Sequence, residues 1–208
     1  MYARTTEIQA DPAKMDDGLR VVREKIFPAV SEIDGCSGMS LLVDRESGRG
    51  IATTSWDSEE AMLGSAEQVR PLRDEAEKAF GTNDASEVHQ WEVAVLHRDH
   101  PAPDTACARV TWLSGDEQTV ERGIEKYKAQ VLPRIQKMDG FCSASLLVDR
   151  GAGRVAGTAV FETPEALEAS RDAMSEIRGR VTGEIGATVI GVEELEVAFA
   201  HLHVPETV

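Results

Sequence analysis

The hexapeptide Ser-Leu-Leu-Val-Asp-Arg occurs twice in this chain, at residues 40–45 and 145–150, and both copies run on to a Gly-Arg pair. The same offset of 105 positions superimposes much more of the chain, which indicates an internal duplication. The matched pairs include Arg4 with Arg109, Pro28 with Pro133, Asp34-Gly35 with Asp139-Gly140, Gly81 with Gly186 and, after a gap of one residue, Glu92 with Glu196. We therefore predict two repeats, at 1–98 and 107–208, joined by a proline-containing linker at 99–106.

Both repeats show the same order of elements. A short β-like segment precedes an amphipathic helix, in which Pro28 and Pro133 are expected to kink or end the helix. Two strands then flank a turn, and the repeated hexapeptide is the first of them, a scaffold element. Ser58 and Thr163 are expected to cap a second helix, which is followed by a final strand. The order β-α-β-β-α-β is ferredoxin-like, and its bare sheet face needs a cover. We predict an α+β fold in which the two repeats form one intrachain barrel.

Composition narrows the classes of partner. The chain has 208 residues, of which 28% are charged, and its formal net charge is −15. This excess of acid opposes binding to polyanions, so we expect no nucleic acid and no membrane surface as a partner. No apolar stretch is long enough to span a bilayer and no signal peptide is evident, which favours a cytoplasmic protein. The three cysteines form no CxxC motif and are expected to be reduced and structural.

The chain resembles the antibiotic biosynthesis monooxygenase-like family of the dimeric α+β barrel superfamily. The resemblance rests on the element order, on Asp-Gly before the second strand of each repeat, and on the passage from strand to helix at 161–167, which matches 56–62. In that superfamily two chains usually pair. The resemblance therefore implies a tandem repeat that acts as a monomeric pseudo-dimer, and it leaves open whether two such chains pair further.

Two functions follow from the resemblance, and the sequence does not decide whether the chain is an enzyme. The first is a cofactor-free monooxygenase that oxidises an aromatic or quinol-like small molecule in a pocket between sheet and helices. The second is a non-catalytic barrel that binds a small molecule or is associated with stress. Haem-degrading relatives use a histidine on the second helix and an asparagine facing the haem. Neither second helix contains a histidine, and the one asparagine, Asn83, is predicted to lie in a loop, which argues against haem.

Histidines are the candidate catalytic residues. His97 and His201 close the final strands, and by alternation His97 shares a sheet face with Trp91, the face that we expect beneath the helices. An imidazole at that rim could act as a general base on a phenol, although a hydrogen bond at a strand end would also account for it. Four histidines lie near these strand ends: His97, His100, His201 and His203. No carboxylate or cysteine completes a metal-ligand spacing with them, so we expect no metal.

Arginines and aromatic residues are the candidate substrate-binding residues. Arg4 and Arg109 occupy equivalent places on the first strands, beside final strands that carry Glu92 and Glu196. Each arginine is expected either to form a cross-strand ion pair with that glutamate or to bind a carboxylate or phenolate of the substrate. Four aromatic residues are large enough to line a flat pocket, or else belong to the core: Trp56, Trp91, Trp112 and Phe161.

Overall fold

The computed structural model describes residues 1–82 and 84–202, so Asn83 and His203 lie outside the described residues. Within the described ranges eight strands form a closed antiparallel barrel in the order β1-β3-β2-β8-β5-β7-β6-β4. The strands are β1 Tyr2–Gln9, β2 Cys36–Val43, β3 Arg49–Trp56, β4 Glu87–Arg98, β5 Cys107–Ser114, β6 Phe141–Asp149, β7 Arg154–Phe161 and β8 Thr188–Leu202. The predicted fold class is therefore confirmed.

Eight α-helical segments occur in the described part of the chain. They are α1 Met15–Val21, α2 Phe27–Ser31, α3 Glu59–Gly64, α4 Ala66–Phe80, α5 Glu117–Lys126, α6 Leu132–Ile135, α7 Pro164–Ala169 and α8 Arg171–Ile185. A π-helical turn joins α1 to α2 at Val22–Ile26, and another joins α5 to α6 at Tyr127–Val131. The chain continues helically past Pro28 and Pro133 after these wide turns, because a π turn accommodates a residue that lacks an N–H.

The second helix of each repeat is capped as predicted but is broken in two. Ser58 Oγ accepts a hydrogen bond from the Ala61 amide at 3.1 Å, and Thr163 Oγ1 accepts one from Ala166 at 3.2 Å. The break is one residue long in both repeats: Ser65 separates α3 from α4, and Ser170 separates α7 from α8. Such a break leaves backbone carbonyls free for other donors.

The barrel consists of two compact units whose limits differ from those of the sequence repeats. The first unit contains Met1–Glu92 and, from the last strand, residues 197–202, while the second unit contains Val93–Glu196. Each unit packs helices against one face of its strands around its own apolar core. The long strands β4 and β8 are thus each divided between the two units.

Equivalent glycines in the first helices have different surroundings, which gives a test of the packing. A Cβ on Gly18 would lie 2.1 Å from Phe80 Cδ1, whereas a Cβ on Gly123 would lie 3.5 Å from Ile185 Cδ1. We expect Gly18→Ala to lower the free energy of unfolding by about 1–3 kcal/mol through overpacking. Gly123→Ala should leave it unchanged or raise it by up to about 1 kcal/mol, because alanine favours the helix. Urea denaturation followed by circular dichroism measures both, and equal losses would contradict the packing difference.

Candidate functional site

An apolar cavity of about 90 Å³ lies in the second unit, between strands β5, β6 and β7 and helices α5 and α8. We call it the second-unit cavity. Most of its wall is aliphatic, with Val120, Ile124, Leu146, Val155, Ile177 and Ile185 among the lining residues. Its polar side chains are few and belong to Thr111, Ser114, Thr119, Tyr127, Thr158, Arg178 and Thr182. An apolar wall with a few polar groups is the usual lining of a small-molecule site.

Tyr127 is the most distinctive residue of this cavity. It begins the π turn that follows α5, and its ring lies about 4 Å from where a Cβ on Gly157 would stand. Burial raises the pKa of the Tyr127 phenol above its usual value, so the hydroxyl stays protonated and can donate. No group within residues 1–82 and 84–202 forms a hydrogen bond with this hydroxyl.

Sequence reasoning missed Tyr127 because it was counted among the apolar positions of an amphipathic helix. The available signal was a break in the repeat: the first copy has Val22 where the second has Tyr127, and Ala52 where the second has Gly157. A larger helix residue is thus matched by a smaller strand residue beneath it, which lets the ring lie along the cavity wall.

Arg178 supplies positive charge to the same cavity. Its Nη2 donates to Ser175 Oγ at 3.3 Å, and its carbonyl accepts from the Thr182 hydroxyl at 2.8 Å. Among the described residues that line the cavity there is no histidine, aspartate or glutamate. The charged residue among those that line the cavity is thus an arginine, and its charge favours a neutral or anionic oxygen on a ligand.

Arg109 is a structural residue that ties the sheet to the helix break. Only 2% of its side chain is exposed. Its Nη1 donates to Ser170 Oγ at 2.7 Å and its Nη2 to the Leu167 carbonyl at 2.8 Å. Both Nε and Nη2 donate to Glu194 Oε1, at 3.0 and 2.7 Å, and Arg171 Nη2 donates to Glu194 Oε2 at 2.7 Å. These contacts use the guanidinium within the protein.

The glutamate partner of Arg109 differs from the one predicted. Sequence reasoning paired Arg109 with Glu196, but the strand register places Arg109 opposite Glu194 and places Glu196 opposite Cys107. Burial alone would raise the pKa of Glu194, but the hydrogen bonds and charges of the two arginines outweigh it and hold that pKa below its usual value. An ion pair between Arg109 and a glutamate of the final strand could be predicted from the sequence, but the position of that glutamate could not.

Arg4, the equivalent residue of the first unit, makes the same contacts with a helix break. Its Nη1 donates to Ser65 Oγ at 3.0 Å and its Nη2 donates to the Met62 carbonyl. The guanidinium carbon lies 5.7 Å from the centre of the Trp56 ring. The helix contact of the arginine is therefore common to both units.

Arg4 nevertheless lacks the ion pair of its counterpart. The residue opposite Arg4 is Gln90, while the predicted partner Glu92 stands opposite Tyr2. No carboxylate within the described residues forms an ion pair with Arg4. Arg4 instead lines a cavity of about 60 Å³ in the first unit, which we call the first-unit cavity.

Two of the predicted aromatic residues lie in the cores. Trp56 is fully buried with Met62 and Val69, and Phe161 is fully buried with its ring edge against Phe141. Neither lines the second-unit cavity. Their role as substrate-binding residues remains a prediction with no contact in the structure to support it.

The other two aromatic residues lie on the face of the sheet away from the helices, whereas Trp91 was expected beneath the helices. Trp91 stands opposite Ala3 and so lies on the same sheet face as Ala3. Arg4, which follows Ala3 in β1, points to the other face, where it contacts the helix break. Trp112 lies between Thr111 and Leu113, which both line the second-unit cavity, and its Nε1 donates to a Glu193 carboxylate at 2.6 Å. Strand alternation therefore takes both rings out of the pocket.

The candidate catalytic histidines lie outside both cavities. His97 is half-buried, and its ring stacks on Phe141 with ring centres 6.2 Å apart. His201 is exposed, and its ring lies edge to face with that of Phe27, with ring centres 4.9 Å apart. Neither residue lines the second-unit cavity or the first-unit cavity. Their catalytic role stays a prediction.

Solved structures share this fold at low sequence identity. An anthrone oxidase-like protein is 16% identical, with a TM-score of 0.65 over 97% of this chain and 93% of that one. A Lactobacillus acidophilus protein that is classed only provisionally as a monooxygenase is 10% identical, with a TM-score of 0.70 over 97% of this chain and 96% of that one. An uncharacterised Listeria monocytogenes ferredoxin-fold protein related to antibiotic biosynthesis monooxygenases gives 0.54 at 7% identity, over 94% of both. The fold is the dimeric α+β barrel of the antibiotic biosynthesis monooxygenase-like proteins, in the form of a fused tandem repeat.

Two proteins of Mycobacterium tuberculosis are much closer in sequence. Uncharacterized protein Rv2558 is 48% identical over 209 residues, which cover 100% of this chain and 88% of that protein. Uncharacterized protein Rv2557 is 47% identical over 208 residues, covering 100% of this chain and 92% of that protein. The chain belongs to the same family as these two proteins. A comparison with models of protein families gives no match. No helix in the described part of the chain is long and apolar enough to cross a membrane.

Proposed function

We propose that the second-unit cavity binds a small phenol or quinol-like molecule and oxidises it with O₂, without a cofactor. The observation that carries this proposal is the protonated Tyr127 hydroxyl, which lines an apolar cavity and has no hydrogen-bond partner among the described residues. Since Tyr127 is half-buried and its hydroxyl has no partner within the described residues, that hydroxyl is available to donate a hydrogen bond to the oxygen of a bound phenol.

The size of the cavity favours a single ring. About 90 Å³ is well below the roughly 300–1,000 Å³ of pockets for drug-sized ligands. A one-ring phenol is therefore the expected ligand, and a three-ring anthrone would require the helices to move apart. The aliphatic wall would remove the ring from water, while Tyr127 and Arg178 are the groups that would contact its oxygen.

Oxidation in this cavity would depend on formation of a phenolate. The positive charge of Arg178 and a hydrogen bond from Tyr127 would both lower the pKa of a bound phenol, so that its proton passes to water. The phenolate then reduces O₂. Overall, a phenol with a free para position and one O₂ give a para-quinone and one water. One oxygen atom enters the ring, the other leaves as water with two hydrogen atoms, and the substrate supplies all four electrons.

A second candidate function is binding without oxidation. It is favoured by the lack of a carboxylate or imidazole among the described residues that line the cavity, since such groups are the usual general bases. The two functions share the ligand and differ only in turnover.

A size series of substrates tests both functions. Phenol, 1-naphthol and anthrone would be titrated by calorimetry, and O₂ uptake and quinone absorbance would be followed with each. We expect the affinity to fall as rings are added, and phenol to consume one O₂ per quinone formed. Binding without O₂ uptake would leave the second candidate, and no binding of any of the three would reject both.

Tyr127→Phe is the variant that probes the site itself. Loss of one hydrogen bond should weaken phenol binding by about tenfold, since a hydrogen bond to a charged or polar oxygen contributes about 1.4 kcal/mol. The rate of O₂ uptake should fall at least as much. Tyr2→Phe makes the same chemical change, the loss of a tyrosine hydroxyl, in the first unit and serves as the matched control. Unchanged phenol affinity in Tyr127→Phe would contradict the role of this residue.

A further inference from the structure

We propose that the first-unit cavity is a separate site for a small carboxylate, which Arg4 binds. The proposal concerns a different unit and a different chemistry from the phenol site, and it does not depend on oxidation. It rests on four observations: the burial of Arg4, the contacts of its guanidinium, the residues that replace its counter-charge, and the balance of charge around the cavity.

Arg4 is a cation enclosed by the protein. Only 4% of the residue is exposed, and it lines the first-unit cavity together with Thr54 and Arg73. Its described hydrogen bonds go to a serine hydroxyl and a backbone carbonyl, both of which are neutral. A buried charge that meets only neutral groups is costly, and a bound anion would relieve that cost.

The second unit shows what has been lost around Arg4. There Arg109 is neutralised by Glu194, which a second arginine, Arg171, holds in place. Both of those residues are replaced in the first unit: Gln90 stands at the place of Glu194, and Ala66 at the place of Arg171. Arg4 keeps the strand position of Arg109 and the equivalent contacts with a serine and a helix carbonyl, so the difference is the missing carboxylate.

The charges that line the first-unit cavity leave one positive charge in excess. Arg73 Nε lies 3.9 Å from Glu77 Oε1, and both residues line the cavity with Arg4. Desolvation, and after it repulsion from Arg73, lowers the pKa of Arg4, which shows that the surroundings oppose its charge. A single carboxylate would balance this excess and could pair with the planar guanidinium.

The remaining wall defines the rest of the ligand. It is aliphatic and aromatic, with Ile8, Val22, Leu41, Leu72 and Phe80 among the lining residues. The volume of about 60 Å³ suits a short chain. A monocarboxylate with a short aliphatic tail, such as butyrate, therefore matches both the charge and the apolar surface.

Butyrate and its neutral isostere butyramide test the charge requirement in wild-type protein. Calorimetry should show one butyrate site and at least tenfold weaker binding of butyramide. In NMR spectra the indole N–H signal of Trp56, beside Arg4, should shift on addition of butyrate and should not shift on addition of phenol. Equal affinity for the two compounds, or an indole signal that is unmoved throughout the butyrate titration, would overturn the proposal.

Gln90→Glu tests the assignment to Arg4. Gln90 is exposed, so the fold should be kept, and the new carboxylate should pair with Arg4 as Glu194 pairs with Arg109. We expect butyrate affinity to fall at least tenfold while phenol binding is unchanged. Gln136→Glu makes the same change of charge on an exposed residue of the second unit and should bind butyrate like wild type. Wild-type butyrate affinity in Gln90→Glu would refute the carboxylate site even if the phenol site is confirmed. Weaker butyrate binding in this variant would support the carboxylate site even if phenol does not bind.

Discussion

Glu194→Gln is expected to lower the free energy of unfolding at pH 7 by about 2–3 kcal/mol, because it leaves Arg109 buried without its counter-charge. Arg109 is 2% exposed and donates two hydrogen bonds to Glu194 Oε1. The glutamate is 31% exposed, so water can partly replace the lost carboxylate, which keeps the loss below that of a fully buried pair. Chemical denaturation at pH 7 measures the difference.

The destabilising effect of Glu194→Gln should become smaller in acid. The pKa of Glu194 is lower in the folded protein than in the unfolded chain, so its contribution is fully present above the unfolded value of about 4.3 and disappears as the pH falls through the folded value. The stability difference from wild type should therefore shrink below about pH 4. Gln90→Ala, at the equivalent place in the first unit, should cost less than about 0.5 kcal/mol at any pH. An equal loss in both variants would contradict the assigned ion pair.

Ile185→Phe is expected to close the second-unit cavity and reduce phenol affinity at least a hundredfold with the fold retained. Ile185 lines this cavity, and its counterpart in the first unit is Phe80, whose ring packs against Gly18. Gly123 stands at the equivalent helix position with only Ile185 near it, so a phenylalanine ring has space to pack in the same way. Calorimetry with phenol, with circular dichroism as the check on folding, measures the effect.

The reciprocal variant is the control for Ile185→Phe. Phe80→Ile removes a ring from the first-unit cavity and should lower the free energy of unfolding by about 1–3 kcal/mol while leaving phenol affinity unchanged. Retention of phenol binding in Ile185→Phe would show that the ligand binds elsewhere. Loss of phenol binding in Phe80→Ile would show that the ligand depends on the first unit.

Those features of the fold that both repeats share could be predicted from the sequence. The offset of 105 positions revealed the duplication, and the element order of one repeat implied a sheet with a bare face, hence the barrel. Ser58 and Thr163 were found as caps because capping depends only on neighbouring residues. The partner of Arg109 depends on strand register, which the order of elements does not set, and so Glu196 was predicted in place of Glu194, just as Glu92 was predicted in place of Gln90 opposite Arg4.

The candidate site was harder to predict because it arises where the repeats differ. Tryptophans were chosen as pocket residues for their size, but alternation along β4 and β5 places Trp91 and Trp112 on the other face of the sheet. The cavity depends instead on the exchange of Phe80 for Ile185 and of Val22 for Tyr127, which looks like ordinary core variation until the helices are placed over the sheet. Packing decides which difference opens a space.

The location of a bound phenol tests the central claim most directly. Crystals soaked with 4-bromophenol, which has no free para position and cannot be converted to a quinone by this route, would reveal the bromine by its anomalous scattering. We predict one ring in the second-unit cavity, with its oxygen within hydrogen-bond distance of the Tyr127 hydroxyl and the bromine among the aliphatic residues. A bromine signal only outside this cavity, or none at concentrations that saturate binding in solution, would contradict the assignment of the second-unit cavity as the functional site.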